Sequence, residues 1–151
     1  MRNILICPIK AVIREIRDST AWFVLCTSGE ERLICSKNAL ELHFYDTIDR
    51  CHPYVFTEKM ADLILSFVLS TPHDADIFIC CDSGESRSSA IAAALIKYLG
   101  ESDEAIWNSR DYHPNPLVYF ICCKAFLSHK QIVGTLGTEN KTAEANQNTL
   151  I

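Results

Sequence analysis

Long apolar runs are missing from this chain, and so is any dense cluster of lysine and arginine. No stretch approaches the ~20 apolar residues that a helix needs to span a bilayer. The opening Met1-Arg2-Asn3-Ile4-Leu5-Ile6-Cys7-Pro8 has too short an apolar part for the core of a secretion signal. With 14 Lys and Arg against 19 Asp and Glu, the formal net charge is −5. That balance argues against a nucleic-acid backbone or an anionic membrane surface as partner, because both recruit basic patches. A cytoplasmic protein is expected, with neither nucleic acid nor membrane among its partners.

Cysteine is plentiful, yet the patterns that give it a structural task are lacking. The eight cysteines, at 7, 26, 35, 51, 80, 81, 122 and 123, include no Cys-x-x-Cys pair, the commonest zinc spacing. No metal and no cofactor is expected. Disulfide scaffolds belong to small secreted chains that cannot build a core, whereas 151 residues with 48% hydrophobic content suffice for one domain. Reduced thiols follow. Those at 7, 26, 35, 80, 122 and 123 sit in or beside apolar runs, where cysteine behaves as a small hydrophobe. No internal repeat is visible, and the oligomeric state is left open.

Taken in order, residues 3–7 read as a strand, and Pro8 opens a helix over 9–16 with Ile9, Val12, Ile13 and Ile16 on one face. Residues 21–26 are β-branched and aromatic enough for a second strand. A turn at 28–31 leads to a short strand or extended loop at 32–36. Residues 40–44 then alternate apolar and polar like a half-buried strand. The stretch 45–54 has no period and reads as a polar loop. Thr57 caps a helix to about Ser70 whose stripe is Met60, Leu63, Ile64, Phe67 and Val68. Residues 76–80 read as a short strand, because the unbroken apolar run that follows Asp76 is the mark of a central strand covered on both faces. Ser88 to Leu99 reads as a helix, with Gly100 where a left-handed cap falls. Ser102 caps a short acidic helix to Trp107, and a final helix spans about Pro116 to Leu127. Strands alternating with helices predict a single-domain α/β sandwich with a mainly parallel central sheet. The domain covers 1–133, and the polar composition of 134–151 predicts a flexible tail.

Ligand sites in such folds lie beyond the carboxyl ends of strands, and there this chain reads Cys81-Asp82-Ser83-Gly84-Glu85-Ser86-Arg87-Ser88. A turn feeding a helix N-terminus converges backbone N–H groups on an anion, and the same field favours a thiolate at Cys81. The planar fork of Arg87 can hold two oxygens of a phosphate. Gly84 permits the backbone reversal, and Ser88 can donate a hydrogen bond to the sulfur and ease its departure. Asp82, Ser83, Gly84, Glu85 and Ser86, with Arg87, form the cradle for substrate.

These eight residues resemble the signature of the cysteine-based protein tyrosine phosphatases, in the small dual-specificity-like branch seen in bacteria and phages. His113-Pro114-Asn115 before the last helix resembles the Pro-Asn step of that family, and an Asp in the upstream loop is a third likeness. The resemblance implies the phosphatase α/β sandwich and hydrolysis of phosphotyrosine and/or phosphoserine/threonine through a cysteinyl-phosphate. A phosphorylated protein or peptide is then the partner. By the same implication Asp46 is the general acid, with Asp49 as the alternative, and Asn115 ties the last helix to the loop. Asp82 and Glu85 place negative charge where the phosphoinositide branch carries lysine, so inositol lipids are not expected. His52, Tyr54 and Tyr112 are candidates for the rim.

Cys80 stands where the family usually has His. That departure motivates a rival reading, a pseudophosphatase that binds phosphopeptides without turnover. A second rival is a cysteine-based arsenate reductase or sulfurtransferase, which also uses an anion loop led by Cys. A low-pKa thiolate at Cys81 further invites a redox reading, with Cys80 or a thiol on a nearby strand such as Cys7 as its partner.

Overall fold

Short apolar or alternating segments pair into a sheet, and the segments of helical period cover it. The computed structural model describes residues 2–147, with side chains to residue 137. Strands β1 (Ile4–Pro8), β2 (Trp22–Thr27), β3 (Ala39–His43) and β4 (Ile77–Cys81) form one sheet in the order β1-β4-β2-β3. Every pairing is parallel, so all four strands end along one edge. The helices are α1 (Ile9–Val12), α2 (Glu58–Ser70), α3 (Arg87–Tyr98), α4 (Glu104–Trp107) and α5 (Pro116–Gln147). The expected single-domain α/β sandwich is what forms, and the expected central strand is β4, with β1 and β2 on either side. Among the described residues no helix is long and apolar enough to cross a membrane.

Side chains alternate across a strand, and β4 distributes them to two cores. Ile77, Ile79 and Cys81 join the larger core, built with residues of α2, α3 and α5. Cys80 joins the smaller one, with Ile9, Ile16, Phe23, Leu25 and Ile34. The two neighbouring cysteines therefore point to opposite faces of the sheet.

Several elements depart from the sequence reading. The first helix stops after one turn, at Val12, and a 3-10 turn covers Ile16–Asp18. The segment is crowded with β-branched residues, which lose side-chain freedom in a helix. Residues 32–36 pair with no strand, because the N–H groups of Leu33 and Ile34 donate to the Glu41 carboxylate at 2.7 and 3.2 Å. Helix α2 buries Ala61, Ile64, Leu65 and Val68, while Leu63 is 44% exposed. Its inner face thus lies one residue around from the predicted stripe, on the side of the small Ala61. Thr57 does cap it, accepting from the Met60 N–H at 3.3 Å. Asp103, and not Ser102, is the N-cap of α4, and the Ser102 hydroxyl accepts from the Glu104 N–H at 3.3 Å. Helix α5 continues past Leu127 to Gln147, through much of the segment read as a tail. That stretch has no proline and includes alanine, glutamate and lysine, which allow a helix to propagate. Residues 148–151 of the expected tail lie outside the described residues.

The turn after β4 closes against the end of β1. Gly84 has φ +75°, and a Cβ there would lie 2.7 Å from the Pro8 nitrogen and 2.8 Å from the Cys7 carbonyl carbon. Both conformation and space demand glycine. Gly84→Ala is expected to lower stability by about 2–3 kcal/mol, a left-handed penalty plus displaced backbone. Urea denaturation measures it, and a midpoint equal to that of the wild type would contradict the close approach.

Candidate active site

Arg87 is the first residue of α3 and is only 5% exposed. Its guanidinium carries five N–H donors, and three are committed within the protein. Nη1 donates to the Ser28 hydroxyl and the Phe44 carbonyl, each at 2.9 Å. Nη2 donates to Asp82 Oδ2 at 2.6 Å. Nε is buried with no partner among the described residues. The remaining Nε–H and second Nη2–H belong to one edge of the guanidinium, the parallel pair that grips a tetrahedral oxyanion bidentately.

Cys81 ends β4, 1% exposed, with its sulfur 3.1 Å from the Ser88 hydroxyl. Burial acts to raise its pKa. The Ser88 hydroxyl, the backbone N–H groups of Ser88 and Gly84, and the charge of Arg87 outweigh it, leaving the thiol below its ordinary value. No side chain caps the start of α3. The hydroxyls nearby act as donors: Ser86 donates to Asp46, and Ser89 donates to the carbonyls of Glu85 and Ser86. By contrast the buried Cys26, paired in register with Cys81, is pushed up by desolvation.

Asp46 comes to this cradle from the loop after β3. Its Oδ1 accepts from the Ser86 hydroxyl at 2.9 Å and from Asn115 Nδ2 at 2.7 Å. Its Oδ2 has no hydrogen-bond partner among the described residues. Asn115 is a junction: Nδ2 also reaches the Thr47 carbonyl, and Oδ1 accepts from the N–H groups of Leu117 and Val118 at the start of α5. Its own N–H donates to the Ser86 carbonyl at 3.3 Å. One amide thus joins the Asp46 loop, the cradle and α5.

Solved structures share this architecture. The crystal structure of PTPMT1 in complex with PI(5)P matches with a TM-score of 0.58 at 19% identity, over 87% of this chain and 94% of that one. The PTP-2 phosphatase of Cydia pomonella matches with a TM-score of 0.57 at 14% identity, over 81% of this chain and 84% of its own. The fold is that of the cysteine-based protein tyrosine phosphatases. No protein-family model matches the sequence, and no curated protein does.

On this phosphatase fold the predicted residues fall in distinct places. Cys81, Arg87 and Ser88 converge with Gly84 at the strand end, and Ser86 bridges to Asp46. Asp82, expected in the cradle and as negative charge on its rim, is bound to Arg87. Asp49 stays within its own loop, where its Oδ1 accepts from the Cys51 N–H at 2.9 Å. His52 and Tyr54 stack with Tyr45, ring centroids 5.0 and 5.2 Å away. Tyr45 and Tyr54 line a cavity of about 330 Å³ with Ser28, His43 and Phe44. Tyr112 lies in a different groove, of about 420 Å³, beside Ser83, Gly84 and Glu85.

Ser28 and the Phe44 carbonyl were not singled out by the sequence. Ser28 follows the last residue of β2, the strand adjacent to β4. The strand-end rule would have found it only with the sheet order in hand.

The Ser88 hydroxyl lowers the Cys81 pKa, so Ser88→Ala is expected to raise it. At pH about 6, where an ordinary thiol is protonated, iodoacetamide should alkylate Cys81 more slowly in the variant. The midpoint of the rate–pH profile should also move up. An unmoved midpoint would show that the hydroxyl does not support the thiolate.

Proposed function

We propose that this chain is a phosphomonoester hydrolase, acting through a cysteinyl-phosphate on phosphotyrosine and/or phosphoserine/threonine in proteins. The reading is carried by the donor count on Arg87, a buried guanidinium whose Nε lacks a partner among the described residues, beside a thiol held below its ordinary pKa. In the first step the Cys81 thiolate attacks phosphorus while the ester P–O bond breaks. The Asp46 carboxyl protonates the departing oxygen. The free edge of Arg87 and the loop N–H groups hold the equatorial oxygens as charge builds on them. In the second step Asp46 takes a proton from water, water attacks phosphorus, and the S–P bond breaks. The hydrogen bond from Ser88 stabilises the departing sulfur.

Two observations bear on the substrate. PTPMT1 has been crystallised with PI(5)P, which makes an inositol lipid the competing class. In this chain Asp82 and Glu85 are exposed on the cradle, and added negative charge there opposes a polyanionic headgroup. Protein phosphoesters are therefore favoured. A pseudophosphatase binds without turnover and is separated from this reading by a single assay.

Wild type should hydrolyse p-nitrophenyl phosphate, and Cys81→Ser should abolish turnover. Arg87→Ala should reduce kcat/KM by about 10²-fold or more, the scale of losing an oxyanion donor. Binding of a phosphopeptide with no turnover by the wild type would leave the pseudophosphatase. Asp46→Asn is expected to cost about 10²-fold and to remove the high-pH limb of the profile, because a general acid must be protonated to act. Asp49→Asn should leave that limb in place, and its loss there instead would move the acid role to Asp49. Side-by-side assays on phosphopeptides and PI(5)P should favour the peptides, and preference for the lipid would overturn the substrate assignment.

A further inference from the structure

Cys7 and Cys80 face each other as partners in the parallel register of β1 and β4. Their sulfurs are 3.3 Å apart. Neighbouring strands run about 4.8 Å apart, inside the Cα separation that a disulfide spans. Reaching a bond of about 2.05 Å requires the sulfurs to approach by little more than an ångström.

The two thiols are not equivalent. Cys80 is fully buried among Ile9, Phe23 and Leu25. Cys7 is half-buried and opens onto the groove of about 420 Å³ beside Pro8, Ser83 and Gly84. The hydrogen bond between them, followed by burial, pushes the Cys80 thiol up, and the same bond holds Cys7 below its ordinary value. The accessible sulfur is thus the one that ionises more readily, and the thiolate is the reactive form toward oxidants.

We propose that Cys7 and Cys80 are an oxidation site that closes to a reversible disulfide under hydrogen peroxide, independently of Cys81. The Cys7 thiolate attacks one peroxide oxygen, the O–O bond breaks, and Cys7 becomes a sulfenic acid as hydroxide leaves and is protonated to water. The Cys80 sulfur then attacks the Cys7 sulfur. Its proton departs with the sulfenic oxygen, as a second water. Two thiols and one peroxide give one disulfide and two waters, and the sulfurs lose the two electrons that the peroxide gains.

Cys81 takes no part, because the pleat turns it to the α3 side of the sheet while Cys80 faces the α1 side. The bridge would still touch the cradle through the backbone. Gly84 rests against the Cys7 carbonyl carbon and the Pro8 nitrogen, so joining Cys7 to Cys80 fastens the floor on which the turn lies. This site does not rest on the hydrolase reading, since neither of its sulfurs belongs to the proposed reaction.

The test treats the full chain with an equimolar amount of hydrogen peroxide, blocks remaining thiols and maps peptides without reduction. Cys80 and Cys81 fall in one peptide, so the wild type and Cys81→Ser are mapped in parallel. Both should yield the Cys7–Cys80 bridge, lacking two hydrogens, and dithiothreitol should reverse it. Cys7→Ala should lose the bridge. A bridge that vanishes in Cys81→Ser would overturn the proposal. So would recovery of Cys7 and Cys80 fully alkylated while Cys81 is oxidised. Both of these readings come from proteins that retain the Cys7–Cys80 contact, so they hold even if Cys7→Ala folds poorly.

Discussion

Burying a guanidinium is costly unless its charge is paired and its donors are met, and this constraint organises the site. Arg87 cannot be satisfied from its own helix. It takes a hydroxyl from the end of β2, a carbonyl from the residue after β3 and a carboxylate from the turn after β4. A parallel sheet brings those three strand ends to one edge, and the order β1-β4-β2-β3 seats β4 between β1 and β2. The other side of the turn is then closed by β1, through the contact at Gly84. With three donors spent on the protein, one edge of the guanidinium stays uncommitted beside Cys81. The shape of that edge, more than the identity of any one neighbour, makes the cradle suited to a tetrahedral anion.

The sheet and the centre of the site were legible because their signals are local. An apolar run followed by a thiol, a glycine, an arginine and an alanine-rich helix needs no long-range information to be read as strand, turn and helix. Gly100, with φ +89°, ends α3 as expected, for the same reason. What escaped the reading depends on the assembled chain. A backbone carbonyl such as that of Phe44 has no sequence signature, and Ser28 matters only because β2 lies beside β4. The face of α2 was misjudged because leucine at 63 carries more hydrophobic weight than alanine at 61, although alanine is the one that packs inside.

The fold and the chemistry rest on different grounds. At 19% and 14% identity, the solved structures speak to how the chain is folded, and one fold hosts many activities. The proposed reaction rests on atoms: a sulfur 3.1 Å from a hydroxyl, and a guanidinium Nε and a carboxylate oxygen near the same turn that have no partner among the described residues. Cys80 fits this picture as a member of the opposite core, where its side chain packs with Ile9 and Phe23.

The junction at Asn115 has a consequence for motion. The loop bearing Asp46 is anchored to both the cradle and α5 by one amide and one hydroxyl. Many enzymes wait on a lid that swings microseconds to milliseconds before chemistry begins. In this structure the loop is already tied down, and the Asp82 carboxylate, half exposed and resting against Arg87, is the part of the cradle with most room to turn.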